Sequence, residues 1–258
     1  MDPEPAVLGQ AFGAYDERPT SPLLRPHFAG VWFHWIPAGA PRRSAIAPDG
    51  CADLIFVGGT LRIAGPDREA KVESIPQGTT VVGLRFQPGA ASSWLQVSVS
   101  EIVGARLPLE DFWGSEARRL ADWVGEGRTP EGVAARLETA LAHRARVLDA
   151  PDEIPRAIFR TVAATRPGEA VVGHLADRLG MSERTLRRRC REAFGYGPKT
   201  LDRILRFQRF MALARRPGAG GPADLAVAAG YADQPHLTRE TRQLSGLTPG
   251  TILRQLSG

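Results

Sequence analysis

The chain has 258 residues, of which 43% are hydrophobic and 24% are charged, and this length and globular composition predict two domains. No apolar run reaches the roughly 18 residues that cross a bilayer, and the start, MDPEPAVLGQ, lacks the pattern of a signal peptide, so we expect a cytoplasmic protein without membrane partners. Its two cysteines, Cys51 and Cys190, are too few for a disulfide framework and have no CxxC partners for zinc.

Charge is divided unevenly along the chain. From Arg156 to the end there are 18 Lys and Arg against 8 Asp and Glu, a net charge of +10. The preceding 155 residues have 15 basic and 20 acidic residues, a net charge of −5. Arginines near phosphates displace condensed counterions, so a basic excess confined to one region is typical of polyanion binding, although a solvated basic face gives the same count.

Residues 1–107 are predicted to form a β-rich domain. Short runs rich in β-branched and aromatic residues alternate with turns rich in Gly, Pro and Asp. The runs are HFAGVWFHWIP, DLIFVGG, LRIAG, TTVVGLRF and SSWLQVSV. They predict a small antiparallel β-barrel or sandwich, which makes the whole chain an α+β protein.

Residues 108–150 are predicted to form a helical linker. In its second helix Thr129 is the expected N-cap and Pro130 the first helical residue. Val133, Leu137 and Leu141 recur every fourth residue and form an apolar stripe. The stripe either pairs with a second copy of the chain, which would give a homodimer, or packs on the β-rich domain, and the sequence leaves both alternatives open.

The third region, residues 151–258, contains an internal repeat. The prolines of LDAPDEIP mark its start. The segment HLADRLGMSERTLRRRCREAFGYGP nearly recurs about 50 residues later as DLAVAAGYADQPHLTRETRQLSGLTPG. Each copy has a short helix, a turn at glycine and a second helix, which is the helix-turn-helix pattern, and the long helix PKTLDRILRFQRFMALARR joins the two copies.

The second helix of the first copy carries an arginine face. Ser182 is its expected N-cap, and a turn of 100° per residue brings Leu186, Cys190 and Ala193 together on a buried face. The residues away from that face are Arg184, Arg187, Arg188 and Arg191. Like charges repel unless an anion faces them, so this helix is predicted to contact DNA rather than only solvent.

The second copy repeats the geometry with different chemistry. Leu237, Thr241 and Leu244 form the predicted buried face. The opposite side presents Gln234, Pro235, Thr238, Arg239 and Arg242, with His236 beside it as a candidate contact to the DNA backbone. Two different helices suit a DNA site without dyad symmetry, each entering one major groove about 34 Å from the other.

In these features the last hundred or so residues of the chain resemble a known domain. The segments LADRLGMSERTLRRR, FGYGPKTLDRILRFQRFMAL and LAVAAGYADQPHLTRETRQLSGLTP are similar to the twin helix-turn-helix domain of AraC/XylS-type bacterial transcription regulators. The resemblance implies base and phosphate contacts from Arg184, Arg187, Arg188, Gln234, Thr238 and Arg239. More loosely, APDGCADLIF and VVGLRFQPGA resemble the sensor domain of some members, which is usually a small β-barrel.

The chain departs from that pattern in its core. Cys190 and Thr241 stand where such domains usually carry phenylalanine, which implies that both helices are held less firmly. Neither departure falls on the face that would read DNA.

An effector site is predicted in the β-rich domain. Trp32, Trp35 and Trp94 lie on predicted strands and serve either as core residues or as the walls of a pocket for a flat apolar or cationic molecule. The sequence names no effector.

The sequence does not support a metal site, an acid and base pair or a reactive thiol in the β-rich domain. His27 and His34 lie seven residues apart, on opposite faces of one strand, so we predict no shared metal site. Asp49 and Asp53 are interpreted as part of a turn rather than as an acid and base pair. Cys51 has no basic neighbour in sequence to activate its thiol.

These patterns predict a transcription regulator without catalytic residues, cofactor or metal. Its expected partners are promoter DNA, RNA polymerase, a small-molecule effector and a second copy of itself. The alternative is an enzyme, or a metal- or alkylation-responsive protein, that carries a DNA-binding appendage. The chain lacks a nucleophile and base motif, metal spacing and a phosphate-binding loop, which argues against that alternative.

Overall fold

A computed structural model describes residues 7–41, 43–164 and 171–256. Residues 1–6, which belong to the start MDPEPAVLGQ where no signal peptide is predicted, lie outside this part of the chain. The strands are β1 (Val7–Leu8), β2 (Ala14–Arg18), β3 (Phe28–Ile36), β4 (Ser44–Ile46), β5 (Asp53–Val57), β6 (Thr60–Ala64), β7 (Lys71–Glu73), β8 (Thr79–Phe86) and β9 (Arg106–Pro108).

The strands form two sheets. The larger is antiparallel, with the order β2-β3-β8-β5-β6-β9, and the smaller has the order β1-β4-β7 with β1 parallel to β4. In the larger sheet β2 and β9 are edge strands, so the described strands make an open sandwich. Of the two predicted architectures the sandwich is confirmed and the closed barrel is wrong.

Alternation along the strands gives the larger sheet two different faces. Leu54 and Phe56 on β5 point to one face with Leu84 on β8, and all three are buried in a hydrophobic core. Asp53 and Ile55 point the other way, because successive side chains of a strand alternate. This second face looks toward the smaller sheet and is less completely packed.

Four helices follow the strands in the amino-terminal half. They are α1 (Ala91–Leu95), α2 (Glu110–Trp113), α3 (Ser115–Gly125) and α4 (Pro130–Ala145). The predicted cap is confirmed, because the Thr129 hydroxyl accepts a hydrogen bond from the Gly132 amide at 3.1 Å.

The apolar stripe of α4 belongs to the amino-terminal core. Val133, Leu137 and Leu141 are buried among the residues that cover the larger sheet. Of the two alternatives for this stripe, packing on its own domain is confirmed, and pairing through the stripe is wrong because its side chains are inaccessible to a partner.

One predicted strand is a helix. The run SSWLQVSV forms the end of α1 and a short 3-10 turn, Val99–Glu101, rather than a strand. Trp94 is 1% exposed and makes an edge-to-face contact with Phe28, at 4.9 Å between ring centroids. Burial of this indole under the sheet overrides the β-propensity of the run.

The carboxy-terminal half is helical. Its elements are α5 (Glu153–Ala164), α6 (Val171–Arg178), α7 (Glu183–Phe194), α8 (Pro198–Ala214), α9 (Pro222–Ala229), α10 (Gln234–Ser245) and α11 (Pro249–Leu256). The pairs α6–α7 and α9–α10 are the two predicted helix-turn-helix motifs. Gly180 and Gly230 have φ values of +60° and +96°, a backbone conformation that favours glycine, and they make the two turns.

Two hydrophobic clusters underlie the two halves. One runs from Leu24 to Leu141, and the other joins residues from Ile158 to Ile252 with Leu8 from β1. The helix α8 contacts both motifs and is buried along one side. The boundaries 1–107, 108–150 and 151–258 stay a prediction.

Candidate nucleic-acid interface and effector cavity

The first candidate reading helix is α7. The Ser182 hydroxyl caps it by accepting from the Thr185 amide at 3.2 Å, and Gly195 ends it at φ +78°. Leu186, Cys190 and Phe194 are buried along one side. Phe194 thus takes the place on the buried face that was predicted for Ala193, which is half-buried.

The arginine face of α7 is exposed, as its helical positions require. All four predicted residues, Arg184, Arg187, Arg188 and Arg191, are exposed. Arg187 pairs with Glu183 at 2.8 Å, and Arg188 pairs with Glu192 at 2.9 Å. Exposed pairs of this kind contribute only about 0.3–0.5 kcal/mol, so both arginines can exchange these partners for phosphates at little cost.

The second candidate reading helix is α10. Asp233 caps it by accepting from the His236 amide at 2.6 Å, and Leu237, Thr241 and Leu244 are buried as predicted. Gln234, Arg239 and Arg242 are exposed on the opposite side.

Two of its candidate DNA contacts also have structural roles. The Thr238 hydroxyl donates to the Gln234 carbonyl at 2.9 Å. The His236 ring is half-buried and stands edge-on to Tyr231 at 5.3 Å between ring centroids, where it helps to close the turn. Both remain predicted DNA contacts.

Cys190 and Thr241, the two departures from the expected phenylalanines, differ in how well they suit a buried position. Cys190 is fully buried, and burial raises the pKa of its thiol to about 12, so it packs as a neutral side chain. Thr241 is equally buried, but its hydroxyl has no hydrogen-bond partner within the described residues. A buried hydroxyl without a partner costs about 1–3 kcal/mol.

Replacing Thr241 with valine is expected to raise the free energy of unfolding by about 1 kcal/mol, because valine keeps the shape and removes the unpaired hydroxyl. Urea unfolding measures the change. Thr238→Val is the matched control on the same helix, and no gain is expected there because its hydroxyl is bonded. A lower stability for Thr241→Val would contradict this account.

The amino-terminal half touches the ends of both reading helices. Arg68 donates to the Gly195 carbonyl at 3.2 Å, and the Ala70 amide donates to the Leu244 carbonyl at 2.6 Å. A Cβ added to Gly195 would lie 2.0 Å from Val103 Cγ2, so glycine is needed at this contact. One segment, residues 65–71, therefore bonds to both α7 and α10.

A groove separates the arginine face of α7 from the amino-terminal half. It has a volume of about 730 Å³. Its lining comprises Ser98, Ser100, Glu183, Arg184, Arg187, Arg188, Arg191 and Glu192. The face that would meet DNA is therefore open, but bordered on one side by the segment around Ser98 and Ser100.

A cavity of about 430 Å³ lies between the two sheets. Apolar side chains such as Ile46, Ile55 and Val81 make much of its wall. The register of the larger sheet sets a polar row across it: Arg85 on β8 pairs with Asp53 on β5, Asp53 with Ala64 on β6, and Ala64 with Arg106 on β9. Three strand spacings separate the two arginines, about 14 Å.

Three carboxylates surround Arg85. Its Nη2 lies 2.9 Å from Asp49, its Nε 3.5 Å from Asp53 and its Nη1 3.6 Å from Glu17. The Trp32 indole donates to Asp53 at 2.9 Å. Burial raises the pKa of Asp53 to about 6, against the opposing effects of Arg85 and Trp32.

Two carboxylates hold Arg106 at the other end of the row. Its Nη2 lies 2.6 Å from Asp67 and its Nε 2.5 Å from Glu73. The remaining terminal nitrogen, Nη1, donates to the Ala105 carbonyl at 3.0 Å. Asp67 belongs to the segment 65–71 that contacts both reading helices.

Of the three predicted effector tryptophans, only Trp32 lines the cavity. Its ring lies over Gly83, where a Cβ would approach it to 2.1 Å. Trp35 is 49% exposed and Trp94 is in the core on the other side of the sheet, so neither forms its wall. The predicted strand position of Trp94 is wrong because it lies on α1, and Trp35 lies on the face of β3 opposite to Trp32 and His34; the effector role of the three tryptophans stays a prediction.

The charged residues of the cavity were not predicted as a site. Asp49 does make the predicted turn, accepting from the Cys51 amide at 3.0 Å, but it also pairs with Arg85. Burial raises the pKa of the Cys51 thiol well above its usual value, so this cysteine is not activated. The alternation in VVGLRF places Arg85 on the face of Gly83, which is the signal that could have revealed it.

The described ranges have no feature typical of a metal site or a membrane span. They contain no group of three or more His, Cys, Asp or Glu that could hold a metal ion. His27 accepts from the Trp94 indole at 3.1 Å, whereas His34 bonds to the Phe12 carbonyl at 3.0 Å. None of the helices in this part of the chain is long and apolar enough to cross a membrane.

Two family models match the chain. One is described as a helix-turn-helix domain and matches residues 175–255. The other is a domain of unknown function, DUF6597, and matches residues 16–108. No curated protein matches the chain.

Several solved structures are similar to the chain. A DNA-binding transcriptional dual regulator from Escherichia coli K-12 has 22% identity and a TM-score of 0.37, covering 42% of this chain and 94% of its own. A probable AraC family transcriptional regulator from Rhodopseudomonas palustris CGA009 has 19% identity and a TM-score of 0.36, covering 41% and 98%. ToxT from Vibrio cholerae O395 has 11% identity and a TM-score of 0.48, covering 88% and 97%.

The helix-turn-helix match spans both copies of the repeat, from the start of the first motif to α11. Within it each reading helix is capped, packed on α8 and turned with its arginines outward, the arrangement that groove reading requires. Residues 175–255 of the chain are therefore a helix-turn-helix domain that contains both motifs.

Proposed function

We propose that α7 and α10 read two neighbouring major grooves of a promoter site without dyad symmetry. The observation that carries this proposal is the repeated geometry: both helices start at a capping side chain, end at a glycine of positive φ and expose arginines. The helix α8 has 17 residues and is about 25 Å long, which suits two helices set one turn of DNA apart.

The proposed contacts are divided between the two helices. They are Arg184, Arg187, Arg188 and Arg191 from α7, and Gln234, His236, Thr238, Arg239 and Arg242 from α10. Arginine recognises guanine through two parallel hydrogen bonds, and glutamine recognises adenine in the same way. The α7 face carries more charge than the α10 face, so we assign more of the phosphate contacts to α7.

A small molecule in the cavity between the sheets is proposed to modulate DNA binding. The volume of about 430 Å³ lies in the range of ligand pockets, and the wall combines apolar side chains with a few charged groups. The segment 65–71 supports a route to DNA, because Asp67 holds Arg106 in the cavity while Arg68 and Ala70 bond to the reading helices. A ligand that moves Asp67 would act on both helices together.

The remaining partners are also part of the proposal. We place the protein in the bacterial cytoplasm, where it would act on promoter DNA together with RNA polymerase. A homodimer would have to use a surface other than the buried stripe of α4.

Selection of bound duplexes from random DNA, using the full chain, tests the proposed reading mode. An asymmetric site with two conserved blocks about one helical turn apart is the expected product. Each phosphate contact should add about −0.9 to the slope of log affinity against log salt. Recovery of a palindrome, or an affinity that does not change with salt, would contradict the proposal.

A further inference from the structure

The cavity between the sheets holds more negative than positive charge. Four carboxylates line it together with two half-buried arginines, Arg85 and Arg106. The carboxylates are Asp49, Asp53, Asp67 and Glu73, and Glu17 lies outside the lining beside Arg85. Arg62 also lines the cavity, but it is exposed to solvent. Even with Arg62 counted, the cavity carries a negative surplus when its acids are ionised.

Both arginines are paired with carboxylates of the protein. Arg85 Nη2 lies 2.9 Å from Asp49, whereas its Nη1 and Nε lie 3.6 and 3.5 Å from Glu17 and Asp53, and the Nε has no hydrogen-bond partner among the described residues. In Arg106, Nε and Nη2 bind carboxylates and Nη1 donates to backbone oxygen. An anionic ligand would have to displace carboxylates from these arginines, and the largely buried Asp53 and Asp67 would then lose their charged partners, which is costly.

Aromatic groups lie beside the end of the cavity that contains Asp49, Asp53 and Arg85, which we call its acidic end. Trp32 holds Asp53 through its indole N–H and stacks on Tyr15 at 6.1 Å between ring centroids. The face of an indole attracts cations, and the attraction grows when the cation is desolvated. The same end therefore offers a carboxylate and an aromatic ring of the cavity wall to one positively charged group.

An unpaired hydroxyl marks the same end. Tyr196 is 3% exposed, and its hydroxyl has no hydrogen-bond partner among the described residues. A Cβ added to Gly50, between Asp49 and Cys51, would lie 3.7 Å from this oxygen. Because Tyr196 directly follows α7 and Gly195, this end of the cavity adjoins the first reading helix.

We propose that the effector is an apolar organic cation, an amine or amidine, whose charged group lies between Asp53, Asp49 and the ring of Trp32. Its hydrophobic body would lie against Ile46, Ile55 and Val81. The assignment rests on the proposed effector role of the cavity and names the chemical class of that ligand. It follows from the surplus of carboxylates, the paired arginines and the aromatic wall.

The affinity for such a cation should depend on pH. The charged or titratable groups that face Asp53 are Arg85 from β8, Asp49 and Cys51 from the turn before β5, and Glu17 and Tyr15 from β2. Burial raises the pKa of Asp53 to about 6. A bound cation favours the ionised carboxylate, so affinity is full above this pKa and falls as the pH drops through about 6.

The test uses phenylalkylamines of increasing chain length and, for each, the carboxylate with the same phenylalkyl skeleton. Calorimetry and tryptophan fluorescence measure binding to the full chain at pH 7.5 and pH 5, where the amines stay protonated. We expect the amines to bind at least about tenfold more tightly than the carboxylates at pH 7.5, and to lose about tenfold at pH 5.

Asp53→Asn separates this explanation from a purely apolar site. It keeps an acceptor for Trp32 and should weaken amine binding about tenfold while removing its pH dependence. Asp122→Asn, at an exposed position on α3, is the matched control and should change neither. Circular dichroism checks the fold of each variant. Tighter binding of the carboxylates, no binding of any amine, or an unchanged pH dependence in Asp53→Asn would overturn the proposal.

The same samples are titrated with the selected duplex. Intact DNA binding without amine binding would overturn the ligand class and leave the reading mode in place. If the unmodified chain does not bind the duplex, the proposed reading mode is overturned instead.

Discussion

Replacing Leu137 and Leu141 together with glutamate is expected to unfold the amino-terminal half rather than to separate a dimer. The two side chains are 0% and 1% exposed, and α4 packs them against β8 and α3. Truncation of one buried leucine to alanine already costs about 2–5 kcal/mol. Two buried carboxylates add several kcal/mol more, which together exceeds the stability of most domains, about 5–15 kcal/mol.

Circular dichroism and measurement of molecular mass on the same samples check this expectation. Val147→Glu supplies the control, because Val147 is 84% exposed just after α4 and the same substitution should change stability by less than about 0.5 kcal/mol. A double variant that keeps its fold and changes from dimer to monomer would show that the stripe is an interface after all.

The helices could be predicted closely because their signals are local. The caps at Thr129 and Ser182 lie within three residues of the amides that they bind. The buried faces of α7 and α10 follow from the turn of a helix, with Leu186 and Leu237 as the starting points. On α7 the exchange of Ala193 for Phe194 was missed, and these are neighbouring positions at the edge of one face.

The β-rich half was harder to predict because its outcome depends on distant partners. Alternation along β5 and β8 is visible in the sequence, but it does not say which face meets helices and which faces a cavity. Trp94 shows the same difficulty: its neighbours favour a strand, yet contacts with Phe28 and other aromatic residues hold it on a helix. The charged row across the cavity depends on register among four strands, which no local pattern contains.

Changing Arg188 or Arg239 to alanine is expected to weaken binding to the selected DNA site about 10- to 100-fold, and the double variant by roughly the product. Both residues are exposed on reading helices, one in each motif. A bidentate contact to guanine contributes about 1–3 kcal/mol of discrimination, and two well-separated contacts add. Competition with random duplex measures whether the loss is specific, because a lost phosphate contact would weaken both duplexes equally.

The control must lower the charge of the same half without touching a reading helix. Arg209 on α8 does not serve, because it donates to the Ala163 carbonyl at 2.8 Å and the Ala229 carbonyl at 3.0 Å, so its loss would disturb α5 and α9. Arg160 is exposed on α5, and Arg160→Ala should leave specific binding within about twofold. Equal losses from Arg160→Ala and Arg188→Ala would mean that general charge, rather than the outward face of α7, decides affinity for the site.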